Sequence, residues 1–206
     1  MNRKQLFESA GIFVLVAVTL AWLIYRFDTL LLEHLLPLFR FELNEMMPSF
    51  HIDSLDWKID RNETVVTLSA TLSEYRVILN KVFPSGVSVN VSTLAAHAWV
   101  HPVLMLSLMA AWPGVAWKRK PFLLLTTLPF IVLAEMLDIP LMLWGALEDM
   151  LYWQADPSRI AESLGSRLQH FLDGGGRYAL SILFALAAVI LFKKFCLVAP
   201  EPYAAK

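Results

Sequence analysis

The 206-residue sequence has a single cysteine, Cys196, and few charged side chains. One cysteine excludes an internal disulfide and any metal site built from several cysteines. Charged residues make up 17% of the sequence and the formal net charge is −1, so the charge balance gives no reason to expect nucleic acid as a partner. The metalloprotease pattern H-E-x-x-H is also missing from this sequence.

Apolar residues are abundant. They make up 57% of the sequence, against roughly 45–50% in average soluble proteins, and the mean hydropathy is +0.57. This apolar content exceeds what a soluble domain can bury. The sequence therefore predicts an integral membrane protein with membrane lipid around it.

Four apolar runs are interpreted as the cores of membrane helices. The first, at 10–25, is interpreted as an uncleaved anchor because no small-x-small cleavage site follows it. The others lie at 94–112, 122–146 and 178–192. The predicted fold class is an α-helical integral membrane protein with four transmembrane helices, a small antiparallel β domain and interfacial amphipathic helices on the outer side.

Two further segments are predicted to form helices that lie along the membrane surface. Residues 29–49 are apolar but are interrupted by groups such as Glu33, His34 and Arg40. Asp156-Pro157 is a typical helix start, and a glycine run at 174–176 is expected to end the second surface helix. Its apolar stripe consists of Ile160, Leu164, Leu168 and Phe171, opposed by Arg159, Glu162, Ser166 and Arg167.

Residues 50–92 alternate between apolar and polar side chains, which is typical of strands with one buried face. Turn-forming residues at 60–63 and 84–86 separate the runs. The pattern predicts a three- or four-stranded antiparallel meander. Because so small a sheet is marginal alone, we expect the preceding surface helix or a partner to cover its apolar face.

Charge placement sets the orientation. With four crossings both termini share one side, whose segments carry a net charge of +6, while the other side carries −5. Short basic segments stay in the cytoplasm, which predicts cytoplasmic N and C termini in a bacterial inner membrane. The predicted segments are an N-terminal transmembrane anchor (1–28), an amphipathic interfacial helix (29–49), a periplasmic β meander (50–92), a transmembrane helical hairpin (93–146), a periplasmic amphipathic helix (147–177), and a C-terminal transmembrane helix with a short disordered cytoplasmic tail (178–206).

The candidate site residues are His97, His101, Glu135 and Asp138. An acidic side chain at membrane depth is costly and is a functional candidate by default. The two histidines are one helical turn apart and reach a similar depth, so a His and carboxylate cluster near the outer leaflet is predicted. Its functional interpretations are a metal site, a proton relay or an acid–base pair, and its structural interpretation is a polar lock between helices.

The stretch Leu35 to Leu43 (LLPLFRFEL) leading into a short outward β segment resembles the small membrane proteins encoded beside bacterial exosortases. The resemblance covers this stretch and the overall order of parts. It implies an accessory role in sorting surface proteins and carries no residue roles. An exosortase itself would show a Cys, Arg and His set toward the outer face, whereas Cys196 is predicted at the cytoplasmic end.

Three classes of function stay open. The first is a non-enzymatic accessory or scaffold subunit of a protein-sorting or envelope-assembly system, with an exported or membrane protein as partner. The second is an outer-leaflet enzyme that uses the His and carboxylate cluster. The third is a transporter subunit, weakened by the lack of an internal repeat. No cofactor motif is present, so no cofactor is expected.

Overall fold

The computed structural model describes residues 3–196, except for the side chains of Ala161 and Cys196. The predicted disordered tail lies outside the described residues. The protein is mostly helical and has a small antiparallel β region. Its helices are α1 (Arg3–Met46), α2 (Ala96–Ala111), α3 (Lys120–Ala155), α4 (Leu164–Phe171) and α5 (Arg177–Cys196), and its strands are β1 (Phe50–Asp60), β2 (Glu63–Leu72), β3 (Arg76–Ile78), β4 (Lys81–Phe83) and β5 (Ser88–Leu94).

Three helical stretches are long and apolar enough to cross a bilayer: Arg3–Met46, Trp117–Ala155 and Leu164–Phe195. These lengths and compositions are those of a membrane protein. Helix α2 is equally apolar but has only 16 residues, fewer than the roughly 20 that a full crossing requires.

The anchor and the first surface segment, predicted separately, are two helical segments that follow each other in α1. Together they comprise 44 residues. The backbone leaves helical geometry at Phe27 (φ −128°, ψ 17°), where two helical segments meet at a kink. Beyond the kink the helix buries Leu32, Phe39 and Leu43. The second segment therefore packs against the buried apolar cluster that includes the sheet residues.

The chain divides into two compact units, each with its own core. Unit 1 comprises residues 1–23, 100–134 and 178–206, and unit 2 comprises residues 24–99 and 135–177. In unit 1, side chains of α2, α3 and α5 share one buried apolar cluster. Its members are Met105, Met109, Leu123, Ile131, Ala134, Ala185, Val189 and Phe192.

Unit 2 contains the strands, and their topology differs from the predicted single meander. Strands β1, β2 and β5 form a three-stranded antiparallel sheet in the order β1-β2-β5, and β3 and β4 form a separate hairpin. Hydrogen bonds between Leu72 and both Gly86 and Val87 close this excursion. Consequently β5 pairs with β2 rather than with the strand that precedes it in the sequence.

Helices cover the apolar face of the sheet. Ile52, Leu68 and Val89 share a buried cluster with Phe39 of α1 and Leu147 of α3. The second half of α1 thus covers the sheet, as the sequence suggested, and α3 adds a second cover. This burial explains how so few strands hold together.

Helix α3 is longer than predicted and ends at Ala155 rather than near 146. The polar residues that suggested an end near residue 146 instead have partners inside unit 2. Arg76 of β3 donates a 2.6 Å hydrogen bond to Glu148 Oε1, and Lys81 of β4 donates to the backbone carbonyl of Gln154 at 2.7 Å. Both contacts fasten the β3–β4 hairpin to α3.

The second predicted surface helix is divided into three parts. A 3₁₀ turn (Pro157–Glu162) begins after Asp156, which accepts hydrogen bonds from the side chain and backbone of Ser158. These bonds hold the pKa of Asp156 below its ordinary value. Helix α4 follows, and the glycine run forms a π-helical turn (Leu172–Gly176), with Gly175 at φ 107°, that leads directly into α5. Helix α4 therefore ends at the glycine run, as predicted, and the backbone leaves helical geometry at Gly175 before α5 begins.

Helix α4 packs through its small residues and not through the predicted apolar stripe. Leu164 and Phe171 are 64% and 58% exposed, whereas Gly165 and Ser166 are buried. The backbones of α3 and α4 meet at Gly145 and Gly165. A Cβ on Gly145 would lie 2.7 Å from the carbonyl oxygen of Gly165 and 2.5 Å from Gln169 Cβ.

Gly145→Ala is expected to lower the thermal stability of the detergent-solubilised protein. The added methyl forces α3 and α4 apart, and overpacking of this kind costs about 1–3 kcal/mol. The matched control is Gly174→Ala, because a Cβ there meets nothing within 4 Å. Equal unfolding temperatures for the two variants would contradict the close approach of these helices.

Candidate functional site

A buried ion pair joins α3 to the start of α5. The guanidinium of Arg177 donates from Nε to Asp138 Oδ2 and from Nη2 to Asp138 Oδ1, the latter at 3.0 Å. The side chains are 8% and 0% exposed. Burying two charges is costly. An Arg–carboxylate pair offsets that cost only when two well-aligned hydrogen bonds join the groups, as they do here.

Two more polar residues surround this pair. Asp173 Oδ1, one turn before Arg177, lies 3.7 Å from Arg177 Nη2. His97 of α2 is close enough to Arg177, Asp138 and Asp173 to sense their charges, and its Nδ1 lies 3.0 Å from Thr93 Oγ1. Thus His97 and Asp138, predicted as neighbours, share one electrostatic environment within unit 2.

Glu135 lies one turn before Asp138 on α3 and is 3% exposed. Both of its carboxylate oxygens are buried and, among the described residues, have no hydrogen-bond partner. Arg177 and Asp138 are near enough to act on it electrostatically. A lone acid in this setting is the feature of the cluster that packing does not explain.

His101 belongs to unit 1, where it pairs with α5. Its Nδ1 lies 2.7 Å from Ser181 Oγ, and both residues are 0% exposed. Ser181 was not among the site residues predicted from the sequence. A buried His–Ser hydrogen bond between helices stabilises their packing modestly, and the same two groups at this distance also form the core of a nucleophile and base pair.

The four predicted site residues therefore do not all belong to the same unit. His97, Glu135 and Asp138 lie in unit 2, while His101 lies in unit 1. Within residues 3–196, no group of three or more His, Cys, Asp or Glu side chains is arranged to hold a metal ion. The chemistry that the arrangement offers is charge neutralisation by Arg177, one spare carboxyl group and one His–Ser hydrogen bond.

Arg177 is the residue that the sequence analysis missed. It was counted only as an outward positive charge beside the glycine run. The signal was available, because Arg177 begins the fourth apolar helix on the side toward which the third helix runs. An Arg at that end can reach an acid lying deeper in the neighbouring helix.

The outer face of the three-stranded sheet forms a second candidate surface. It holds an open, mostly polar cleft of about 350 Å³. Ser54, Ser69 and Asn90 lie in register across the three strands. The cleft is lined by Ser54, Lys58, Thr67, Leu68, Ser69, Asn90, Val91 and Ser92.

No protein-family model, curated protein or solved structure matches this chain. The function must therefore be argued from geometry.

Asp138→Asn and Arg177→Met are each expected to lower the free energy of unfolding by about 3–5 kcal/mol, because each leaves one buried charge without its partner. The double variant Asp138→Leu/Arg177→Met should recover most of this loss, since it removes both charges. Thermal unfolding in detergent measures the effect.

The exposed Arg159–Glu162 pair supplies the matched control. Arg159→Gln and Glu162→Gln should leave the unfolding temperature unchanged, because solvent screens that pair. If Asp138→Asn behaved like these controls, the ion pair would not be a structural lock.

Proposed function

We propose that the chain is a non-enzymatic accessory subunit of a protein-sorting or envelope-assembly system in the bacterial inner membrane. Its outward β region binds an extended segment of an exported or membrane protein. The single observation that carries this proposal is the open edge of strand β5 beside a polar cleft. The resemblance of residues 35–43 and of the overall plan to exosortase-associated membrane proteins points to the same role.

The proposed topology has four crossings, with both termini in the cytoplasm. Three helices have the required length. For α2 the support is its packing, because Met105 and Met109 share a buried cluster with α3 and α5. A local thinning of the bilayer accommodates a helix somewhat shorter than the hydrocarbon core.

Strand β5 exposes backbone groups that could accept another strand. Ala95 donates to Thr64 and Val87 accepts from Leu72, so odd-numbered residues of β5 face β2. By alternation, the backbone N–H and C=O groups of Ser88, Asn90 and Ser92 point to the free edge. An extended peptide can bind there by adding a strand to the sheet.

The other edge of the sheet is less available. Arg40 of α1 donates a 3.1 Å hydrogen bond to the Ile52 carbonyl on β1, and β1 is interrupted between Ile52 and Ser54. No such contact is found on the outer edge of β5 within residues 3–196. The three residues that point outward there are all exposed, which favours β5 as the binding edge.

The polar cleft next to β5 supplies side-chain selectivity. Asn90 and Ser92 line it together with hydroxyl groups of the two neighbouring strands. Such groups donate and accept hydrogen bonds but supply little apolar contact. The cleft therefore suits a polar, extended polypeptide better than an apolar helix.

The predicted His and carboxylate cluster also favours a non-enzymatic role. Asp138 is neutralised by Arg177, and His97 is engaged by Thr93. These contacts are those of a polar lock between elements. The ion pair thus accounts for Asp138 without a reaction.

One observation supports an outer-leaflet enzyme as a second candidate. The buried His101–Ser181 hydrogen bond of 2.7 Å would make Ser181 the nucleophile and His101 the base of an acyl-transfer site. Their complete burial speaks against it, because a substrate must reach the hydroxyl group. The binding experiment below separates the two candidates.

The topology predicts which sites an impermeant reagent reaches. In a Cys196→Ser background, Ser85→Cys in the turn before β5 should react with a membrane-impermeant maleimide in intact spheroplasts. Lys118→Cys should react only after lysis. Both native side chains are exposed, so a difference between them reports the side of the membrane. Labelling of both sites in intact spheroplasts would contradict the proposed crossings.

The β5 edge predicts a variant that loses its partner without unfolding. Asn90→Pro removes an outward N–H that no strand among the described residues uses, and proline is tolerated on edge strands. Asn90→Ala, the matched control, removes the side chain but keeps the N–H. Affinity purification of the tagged full chain from its native membrane in mild detergent, followed by mass spectrometry, should show a stoichiometric partner with the control and at least a fivefold loss, about 1 kcal/mol, with Asn90→Pro.

A photo-crosslinking amino acid at Ser92 identifies what lies on the edge. A crosslink to the same partner protein supports strand addition, and a crosslink to a second copy of this chain contradicts the proposed partner. A chain that purifies alone contradicts the subunit role. Labelling of Ser181 by a fluorophosphonate in that case would favour the enzyme.

A further inference from the structure

Unit 1 contains a cavity at the end of its apolar helices. The cavity has a volume of about 230 Å³ and lies among the α2–α3 connection (residues 113–116), Arg119, and the last turns of α5 at Phe192 and Lys193. It is smaller than the roughly 300–1,000 Å³ of pockets that enclose drug-sized ligands. Its size suits a small polar group rather than a whole lipid or cofactor.

The charged residues in the chain segments that line this cavity are all positive. The sequence places Lys118, Arg119 and Lys120 before α3, and Lys193 and Lys194 at the end of α5. Neither 113–134 nor 178–196 contains an Asp or Glu. Five cations without a neighbouring acid in these segments repel one another, and an anion between them would relieve that repulsion.

The cationic side chains differ in the contacts that they already make. Lys120 Nζ donates to the Ala110 carbonyl and lies 5.5 Å from the ring centroid of Trp117. Arg119 and Lys193 line the cavity, and no carboxylate pairs with either within the described part of the chain. These two side chains are therefore available to a ligand.

Apolar and amphipathic groups adjoin the same cavity. Phe192 forms part of its wall, and Trp117 beside it is 73% exposed. Tryptophan at the end of an apolar helix is typical of the headgroup level of a bilayer. The cavity thus combines two cationic side chains, Arg119 and Lys193, with surroundings suited to acyl chains.

We infer that this cavity binds the phosphate group of an anionic phospholipid, with Arg119 and Lys193 as its charged contacts. Arg presents a planar fork of donors to phosphate oxygens, and Lys adds a compact charge. Basic pockets between membrane helices on the cytoplasmic side recognise lipid headgroups in this way. The inference depends on insertion into a membrane and is independent of the subunit role proposed above.

The test titrates the purified full-length chain in detergent with phosphatidylglycerol or phosphatidylcholine and counts bound lipid by native mass spectrometry. The variant is Arg119→Gln/Lys193→Gln. The matched control is Lys118→Gln/Lys194→Gln, which removes the same charge from neighbouring exposed residues that do not line the cavity. Competition with potassium phosphate, against potassium chloride at equal ionic strength, distinguishes a lipid from a free anion.

The expected result is preferential binding of phosphatidylglycerol that falls about 25-fold in Arg119→Gln/Lys193→Gln, since each basic residue contributes about 1 kcal/mol, a factor of five. The control should change much less. Equal losses in both variants would show diffuse attraction and overturn the site. Binding of inorganic phosphate that displaces the lipid completely would overturn the lipid as the ligand. If the double variant fails to purify, Arg119→Gln and Lys193→Gln tested singly keep the same comparison.

Discussion

The ion pair between Asp138 and Arg177 constrains the part of unit 2 where α3, the π-helical turn and the start of α5 meet. Both charges are almost fully removed from solvent, so neither can leave the other without a large electrostatic cost. The pair fixes where the glycine-rich turn ends, since Arg177 is the first residue of α5. A flexible glycine run therefore has a defined conformation because of the residue that follows it.

The same logic extends along α3. Its acids at 138, 148 and 149 each bind a different part of unit 2. Asp138 binds Arg177, Glu148 accepts from Arg76 of the hairpin, and Asp149 accepts from Ser166 of α4. Helix α3 organises unit 2 through polar contacts on some sides, while its apolar residues Leu143 and Leu147 enter the sheet core. The remaining acid of α3, Glu135, has no hydrogen-bond partner among the described residues.

Much of the fold could be predicted from local sequence patterns. Period-two alternation located β1, β2 and β5, and the apolar runs located the long helices. The β3–β4 hairpin was not readable, because its turn places Leu79 at φ 50° and Asn80 at φ 69°, and Leu is not a residue that predicts positive φ. The predicted turn residues at 60–63 and 84–86 therefore did not include this turn.

The remaining errors arose where tertiary contacts override local composition. Glu148 and Asp149 suggested the end of a membrane helix, but their partners at Arg76 and Ser166 are distant in sequence and allow α3 to continue. The contact between α3 and α4 was not predicted for a different reason, because Gly165 permits a backbone contact that side-chain periodicity does not describe. The site predicted from the sequence contained His97 and Asp138 as neighbours but did not contain Arg177. The role of Arg177 depends on its three-dimensional position.

The proposed recognition through a strand edge also accounts for a sequence without a catalytic signature. A peptide that adds to β5 would be held mainly by backbone N–H and C=O groups, which every residue except proline carries. Only a few exposed side chains, such as Asn90 and Ser92, would then select the partner. Such a surface needs a sheet held firmly in place more than it needs particular reactive residues. The Arg76–Glu148 and Lys81–Gln154 contacts, together with the cover given by α1 and α3, supply that rigidity. Under this proposal, the hydrogen-bonded polar groups that join α3 to the β3–β4 hairpin support the exposed edge of β5.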